Sequence, residues 1–396
     1  MILTARKSTY LFILFVICSV IVSYAQESKS LHKIISGADQ TALYVSNLKG
    51  KRIAVVANQT SVISNGTNYT HLVDSLVSLK INIKKVFAPE HGFRGKADAG
   101  ESVADGVDKK TGLSIISLYG ENKKPTKAQL KEIDLVVFDI QDVGARFYTY
   151  ISTLHYVMEA CAELKIPLIL LDRPNPNGHY IDGPVLEIAH KSFVGMHPVP
   201  IVYGMTIGEY GQMINGEKWL ANKVTSSLTV IELKNYTHNS EFSLLIKPSP
   251  NLPNDEAVNL YPSLCLFEGT NVNAGRGTNM QFQIYGSPFL NTKSKFSFTP
   301  TPNEGAKYPK HAYIISYGED LRGTKKLATL NLSWLIKAKN QNRTKNFFNS
   351  FFTKLVGTTK LQTQLEEKIS EKNIKASWQK DLEKFKIVRE KYLIYQ

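Results

Sequence analysis

The sequence predicts an α/β fold: a parallel sheet with helices wound on both faces, followed by a second, smaller domain of mixed α+β character. Three observations carry this. Short apolar runs alternate with helical patterns between residues 50 and 172, which is how strands joined by crossover helices read. Nearly every one of those runs leads straight into a cluster of polar residues. After Pro184 the alternation is lost, and the chain is richer in Pro, Gly, Asn and aromatic residues up to residue 318.

Taken in order, the chain opens on an export signal. Arg6 and Lys7 precede an uncharged run from Leu11 to Val22, and the stretch Ser23-Tyr24-Ala25 offers small residues, Ser23 and Ala25, at the two cleavage positions. The run is shorter than the roughly 20 residues of a spanning helix. Ile17 stands before Cys18 where a lipoprotein signal wants a small residue. Residues 1–25 are therefore expected to be removed, leaving a periplasmic or secreted protein with no membrane anchor. The first domain, residues 26–185, has strand candidates at 52–57, 83–87, 114–118, 135–138 and 168–171. Helical patterns lie at 71–79, 127–131 and Tyr150–Glu163, the last with Ile151, Leu154, Met158 and Cys161 at three-to-four residue steps. The second domain, residues 186–396, ends in a helical tail from Trp334, with Leu361, Leu365 and Ile369 four apart.

Composition narrows the function. The 396 residues carry a formal charge of +14, an excess that favours anionic polymers. No nucleic-acid motif accompanies it, so an acidic sugar polymer fits an exported chain better. Cys161 and Cys265 read as small buried hydrophobes rather than a disulfide. G-x-S-x-G, H-E-x-x-H, G-x-x-x-x-G-K-[ST] and G-x-G-x-x-G are all missing, which removes the usual support for esterase, zincin, P-loop and dinucleotide readings.

What remains is carboxylates, arginines, asparagines and aromatics at strand ends, and open α/β sheets bind ligands beyond the carboxyl ends of their strands. Glycoside cleavage needs a proton donor beside the leaving oxygen. Glu90, between Pro89 and Phe93 at the end of an apolar strand, is the first candidate. Asp142 is the chosen second carboxylate, with Asp139, Asp172, Glu187 and Glu268 as alternatives. Arg94, Arg146, Arg173 and Arg276 are candidate clamps for a substrate carboxylate. Tyr148 offers a ring to a sugar face, His91 a hydrogen bond or an orienting contact for Glu90, and Asn175, Asn251 and Asn273 further polar contacts. His91 has no second His or Cys at ligand spacing, so no metal is expected. For each residue the competing reading is a loop anchor, such as Glu90 pairing with Arg94 or Asp142 bonding its own turn.

Six strings then carry a resemblance: FAPEHGFRG at 87–95, DIQDVGARFYTY at 139–150, LDRPNPNG at 171–178, PSPNLP at 248–253, YPSLCLFEGTN at 261–271 and REKYLIY at 389–395. In content and order the chain resembles the NamZ-type exo-β-N-acetylmuramidases of bacterial cell-wall recycling. The resemblance implies a Rossmann-like domain beside a smaller C-terminal one, with the active site in the cleft between them. It also implies no metal or organic cofactor. The implied activity is hydrolysis of terminal non-reducing N-acetylmuramic acid from peptidoglycan fragments, with Glu90, the glutamate of the E-H-G motif, as acid/base. Two alternatives stay open: a glycosidase for another amino sugar such as N-acetylglucosamine, and a periplasmic muropeptide-binding protein.

Overall fold

The computed structural model describes residues 33–66, 68–94 and 105–396, and the expected export signal lies outside them. The N-terminal part contains α1 (Thr41–Leu48), β1 (Ile53–Ala57), the hairpin β2 (Val62–Asn65) and β3 (Asn68–His71), α2 (Leu72–Ser78) and β4 (Ile83–Ala88). There follow β5 (Gly106–Val107), β6 (Ser114–Ser117), β7 (Leu135–Asp139), α3 (Tyr150–Glu163), β8 (Leu168–Leu171), α4 (Ile207–Gly216) and β9 (Leu228–Ile231). Seven of the strands form one sheet in the order β5-β6-β4-β1-β7-β8-β9. Only the short edge strand β5 runs antiparallel.

The sheet is buried on both faces, so its central strands are apolar throughout and β1, β7 and β8 are buried along their whole length. Successive side chains go to opposite cores. Ala54, Val56, Phe87, Val136, Phe138, Leu168 and Leu170 pack with α3, whereas Ile53, Val55, Val86, Val137, Ile169 and Leu171 pack with α1 and α2. A one-residue slip of any strand would exchange these sets. His71 starts α2 by accepting the Val73 N–H on Nδ1.

Two sequence expectations change. Residues 127–131 form turns rather than a helix. The alternation also continues past Pro184, because α4 and β9 make one more crossover unit and β9 pairs in parallel with β8. Its signal is weak because β9 is a half-exposed edge strand and α4 contains Gly208, Gly211 and Gly216. Packing demands the first of these: a Cβ on Gly208 would lie 2.6 Å from the Asp172 carboxylate.

Beyond the sheet, α5 (Asp255–Leu264) runs into a 3-10 turn at Cys265–Gly269. A small antiparallel sheet follows, order β10-β12-β11, from β10 (Ile284–Ser287), β11 (Phe296–Phe298) and β12 (Ser316–Asp320). Four helices close the chain: α6 (Ser333–Gln341), α7 (Phe352–Val356), α8 (Lys360–Glu366) and α9 (Glu371–Glu390). One continuous core runs from Phe138 and Leu154 beneath the large sheet to Leu264, Phe352 and Trp378. Cys161 and Cys265 are both free thiols buried in it.

Arg146 joins the two parts. It is fully buried, and its guanidinium donates to Pro184 O and Val199 O on one side and to Leu355 O and Val356 O, at the end of α7, on the other. Those last two carbonyls lie where a helix leaves its acceptors unmet. Burial pulls the Arg146 pKa down to about 9, and the carbonyl dipoles stand where a counter-ion would.

Candidate active site

A cleft of about 260 Å³ opens between the loops after β4 and β7 and the segments around Ser249, Glu268 and Phe282. Of the residues expected in the site, it gathers Glu90, His91, Tyr148, Asn251, Glu268 and Arg276.

Glu90 reaches the cleft through a tight turn. Gly92 N–H donates to Pro89 O, and His91 and Gly92 both take left-handed backbone angles, φ 71° and 76°. For the non-glycine His91 that conformation costs about 1–2 kcal/mol, so strain sits next to the carboxyl. Thr149 Oγ1 donates to Glu90 Oε2 at 2.7 Å. Thr149 holds the N-cap position of α3, yet its side chain caps nothing there. The Tyr119 phenol also hydrogen-bonds Glu90, and burial together with that carboxylate pushes its pKa up. Tyr119 and Thr149 line the cleft and were not among the residues singled out from sequence. The clue for Thr149 was a capping-type residue opening an amphipathic helix; for Tyr119 it was an aromatic directly after a strand.

The C-terminal side contributes a carboxylate and a guanidinium, with Arg276 Nη1 3.6 Å from Glu268 Oε2. Arg276 Nη2 donates to Gly305 O, as does Asn251 Nδ2. Behind them Lys310 Nζ donates to the carbonyls of Phe267, Glu268, Thr270 and Val272, which fixes the turn carrying Glu268, and burial lowers its pKa. Tyr148 donates to Pro248 O and packs edge-on against Tyr150 and Tyr261, with centroids 4.8 and 5.9 Å away. The wall it belongs to is aromatic and rigid.

The other expected residues lie elsewhere. Asp142 is buried behind the loop, where Oδ2 accepts from Gly144 N–H and from the Tyr203 hydroxyl, and burial pushes its pKa up to about 6. It is a loop anchor. Arg94 is held by Asp108 at 2.8 Å and Asp74 at 3.1 Å. Arg173 pairs with Asp139 and donates to Val62 O, and Arg146 is spent on carbonyls. Asn175 bonds Met205 O and Asn177 N–H. Asn273 donates to Arg276 O and Lys310 O, so it supports the Arg276 segment from behind. Among the alternative second carboxylates, Glu187 bonds Lys360 and Thr358, and Asp172 is buried against Thr206, Gly208 and Tyr395. Glu268 is the one of that group that lines the cleft.

A carboxyl oriented by two hydroxyls, sharing a cleft with a carboxylate–guanidinium pair and aromatic rings, at the strand ends of an α/β sheet, has the makings of glycoside hydrolysis. The chain is a glycoside hydrolase. It belongs to the NamZ exo-β-N-acetylmuramidase family: residues 53–256 match the N-terminal family model and residues 259–395 the C-terminal one. It is 39% identical over 381 residues to the peptidoglycan β-N-acetylmuramidase NamZ of Bacillus subtilis (strain 168), covering 89% of each chain. Two solved structures of DUF1343 family proteins from Bacteroides fragilis NCTC 9343 share the fold. One is 45% identical with a TM-score of 0.84 and the other 25% identical with 0.78; each alignment covers 92% of this chain and 99% of the other.

Proposed function

We propose that this protein, exported from the cytoplasm, removes the terminal non-reducing N-acetylmuramic acid from peptidoglycan fragments, with Glu90 as general acid/base. The observation that carries the reading is the hydroxyl pair on Glu90. Thr149 and Tyr119 can each donate to a carboxylate or accept from a carboxylic acid. The same pair therefore orients Glu90 before and after it gives its proton to the glycosidic oxygen. A cleft of about 260 Å³ accepts little more than one sugar residue, which suits attack at a chain end. Arg276, steadied by Glu268 and Gly305 O, is the clamp for the lactyl carboxylate or its amide-linked equivalent.

The test is product analysis by mass spectrometry after incubating the purified chain with short glycans of defined ends. Free N-acetylmuramic acid, appearing only from muramyl non-reducing ends, is the expected product. Release of internal disaccharides, or none from any muramyl substrate, would overturn the reading.

A further inference from the structure

A second cavity, of about 440 Å³, shares no lining residue with the Glu90 cleft. It lies where the sheet diverges: β1 leads through α2 to β4 on one side, and β7 leads through α3 to β8 on the other. Open α/β sheets bind ligands beyond such a switch point. Arg173 bridges it. Nε and Nη2 engage the two carboxylate oxygens of Asp139, the last residue of β7, and Nη2 also donates to Val62 O, at the start of β2. Asp139 is fully buried and Arg173 only 7% exposed. Nη1 makes no hydrogen bond among the described residues, yet it is not one of the polar atoms enclosed without a partner, so its N–H groups open on the cavity that Arg173 lines. A buried ion pair stabilises a fold no better than apolar side chains of similar volume. This one holds a donor edge fixed beyond the strand ends.

The remaining lining narrows the ligand. An anion is not favoured, because Asp139 already neutralises Arg173, and Asp39 and Glu241 outnumber Lys33. A cation would face the N–H groups of Arg173. An apolar molecule would leave that guanidinium edge desolvated without a partner. Asp39 Oδ1 takes only the Ser64 N–H and keeps a lone pair for a donor, and Phe242 brings a half-buried ring. An uncharged ring with hydroxyls on its edge and C–H groups on its faces satisfies the donor, the acceptor and the aromatic together. We infer that this cavity is a second, non-hydrolytic glycan-binding site, taking an uncharged sugar at Arg173, Asp39 and Phe242. It is larger than the cleft of about 260 Å³, which makes a disaccharide the suitable probe. Peptidoglycan offers N-acetylglucosamine as an uncharged sugar, and that choice alone rests on the muramidase reading.

Titration calorimetry of the purified chain with the N-acetylglucosamine disaccharide is the test, and saturable binding is expected. Replacing the ion pair as a unit, Arg173→Met with Asp139→Leu, removes the donor edge without stranding a charge. It should weaken binding by roughly 10- to 100-fold, the worth of a hydrogen bond to a charged group. Phe242→Ala, at a half-buried position, should weaken it several-fold and guards against a folding defect in the paired variant. Arg276→Ala, inside the Glu90 cleft, should leave this binding unchanged. No binding by the wild-type chain would overturn the inference. So would affinity unaltered in both the paired variant and Phe242→Ala, or binding lost with Arg276→Ala, which would put the sugar in the catalytic cleft. Failure of the muramidase reading looks different: a chain that releases N-acetylmuramic acid from no glycan loses that function, while the calorimetric comparison still decides the second cavity.

Discussion

The loops that leave β4 and β7 start alike and end differently. Each continues from a parallel strand of the same sheet, and each places a carboxyl within three residues of its strand end: Glu90 after Ala88, Asp142 after Asp139. Asp142 is enclosed by the Tyr203 hydroxyl and the Gly144 N–H, which complete a turn inside the protein. Glu90 is met by side-chain hydroxyls that themselves line the cleft, and the His91–Gly92 turn holds it there. The second loop even serves the first, since Thr149 follows Asp142 along the chain and donates to Glu90. What separates the two carboxyls is thus whether the groups that hold them lie in the interior, as for Asp142, or along the cleft, as for Glu90.

The largest effect that would test this contrast is on rate. Glu90→Gln keeps size and hydrogen bonding but removes the transferable proton. Hydrolysis of natural glycan should fall on the order of 10² to 10⁴ with an unchanged melting temperature, and an aryl glycoside with a good leaving group should lose less. A folded Glu90→Gln enzyme at the wild-type rate would shift the search to Glu268.

Asp142→Asn should act on stability and its pH dependence. Burial raises the folded pKa of Asp142 from 3.8 to about 6, so between those values the native state binds more protons than the unfolded one. Wild-type stability must therefore fall as pH rises through that window, by at most about 3 kcal/mol from this group. The variant's unfolding free energy should lack this decline. Asp172, raised to about 7, is present in both chains and cancels in the difference. A parallel pH profile for the two proteins, from urea titrations between pH 4 and 7, would mean Asp142 is not the group described.

The smallest effect belongs to Thr149→Val, which removes one hydroxyl from Glu90 at constant shape. A loss of about 0.5–1.5 kcal/mol, a few-fold in kcat, is expected with KM little changed. Stability should not suffer as it would at a true N-cap, because the hydroxyl does not cap α3. A drop in melting temperature with normal kcat would reverse the assignment.

The sheet was legible in the sequence because β1, β4, β6, β7 and β8 are short apolar runs whose pattern is local. The unit of α4 and β9 was not, since glycines chosen for close packing look like loop residues. In the site, Glu90 was legible from its strand end, but the fates of Asp142, Arg146 and Arg173 were set by distant groups. Arg146 meets carbonyls up to 210 positions away, and nothing near it in the chain announces them. Asn251 was readable as polar and loop-borne, yet its amide is held by the carbonyl of Gly305, 54 residues on.

Arg146 has a consequence for how such a protein can be divided. The two family models meet between residues 256 and 259, inside α5, so the join is an unbroken helix rather than a linker. Arg146 extends from one side of that join to the end of α7 on the other, and the core passes between them. A half exchanged for that of a relative would need both a guanidinium and a helix terminus to receive it, or a buried charge would be stranded. The two parts therefore fit each other as a matched pair, and heating should melt them in one transition.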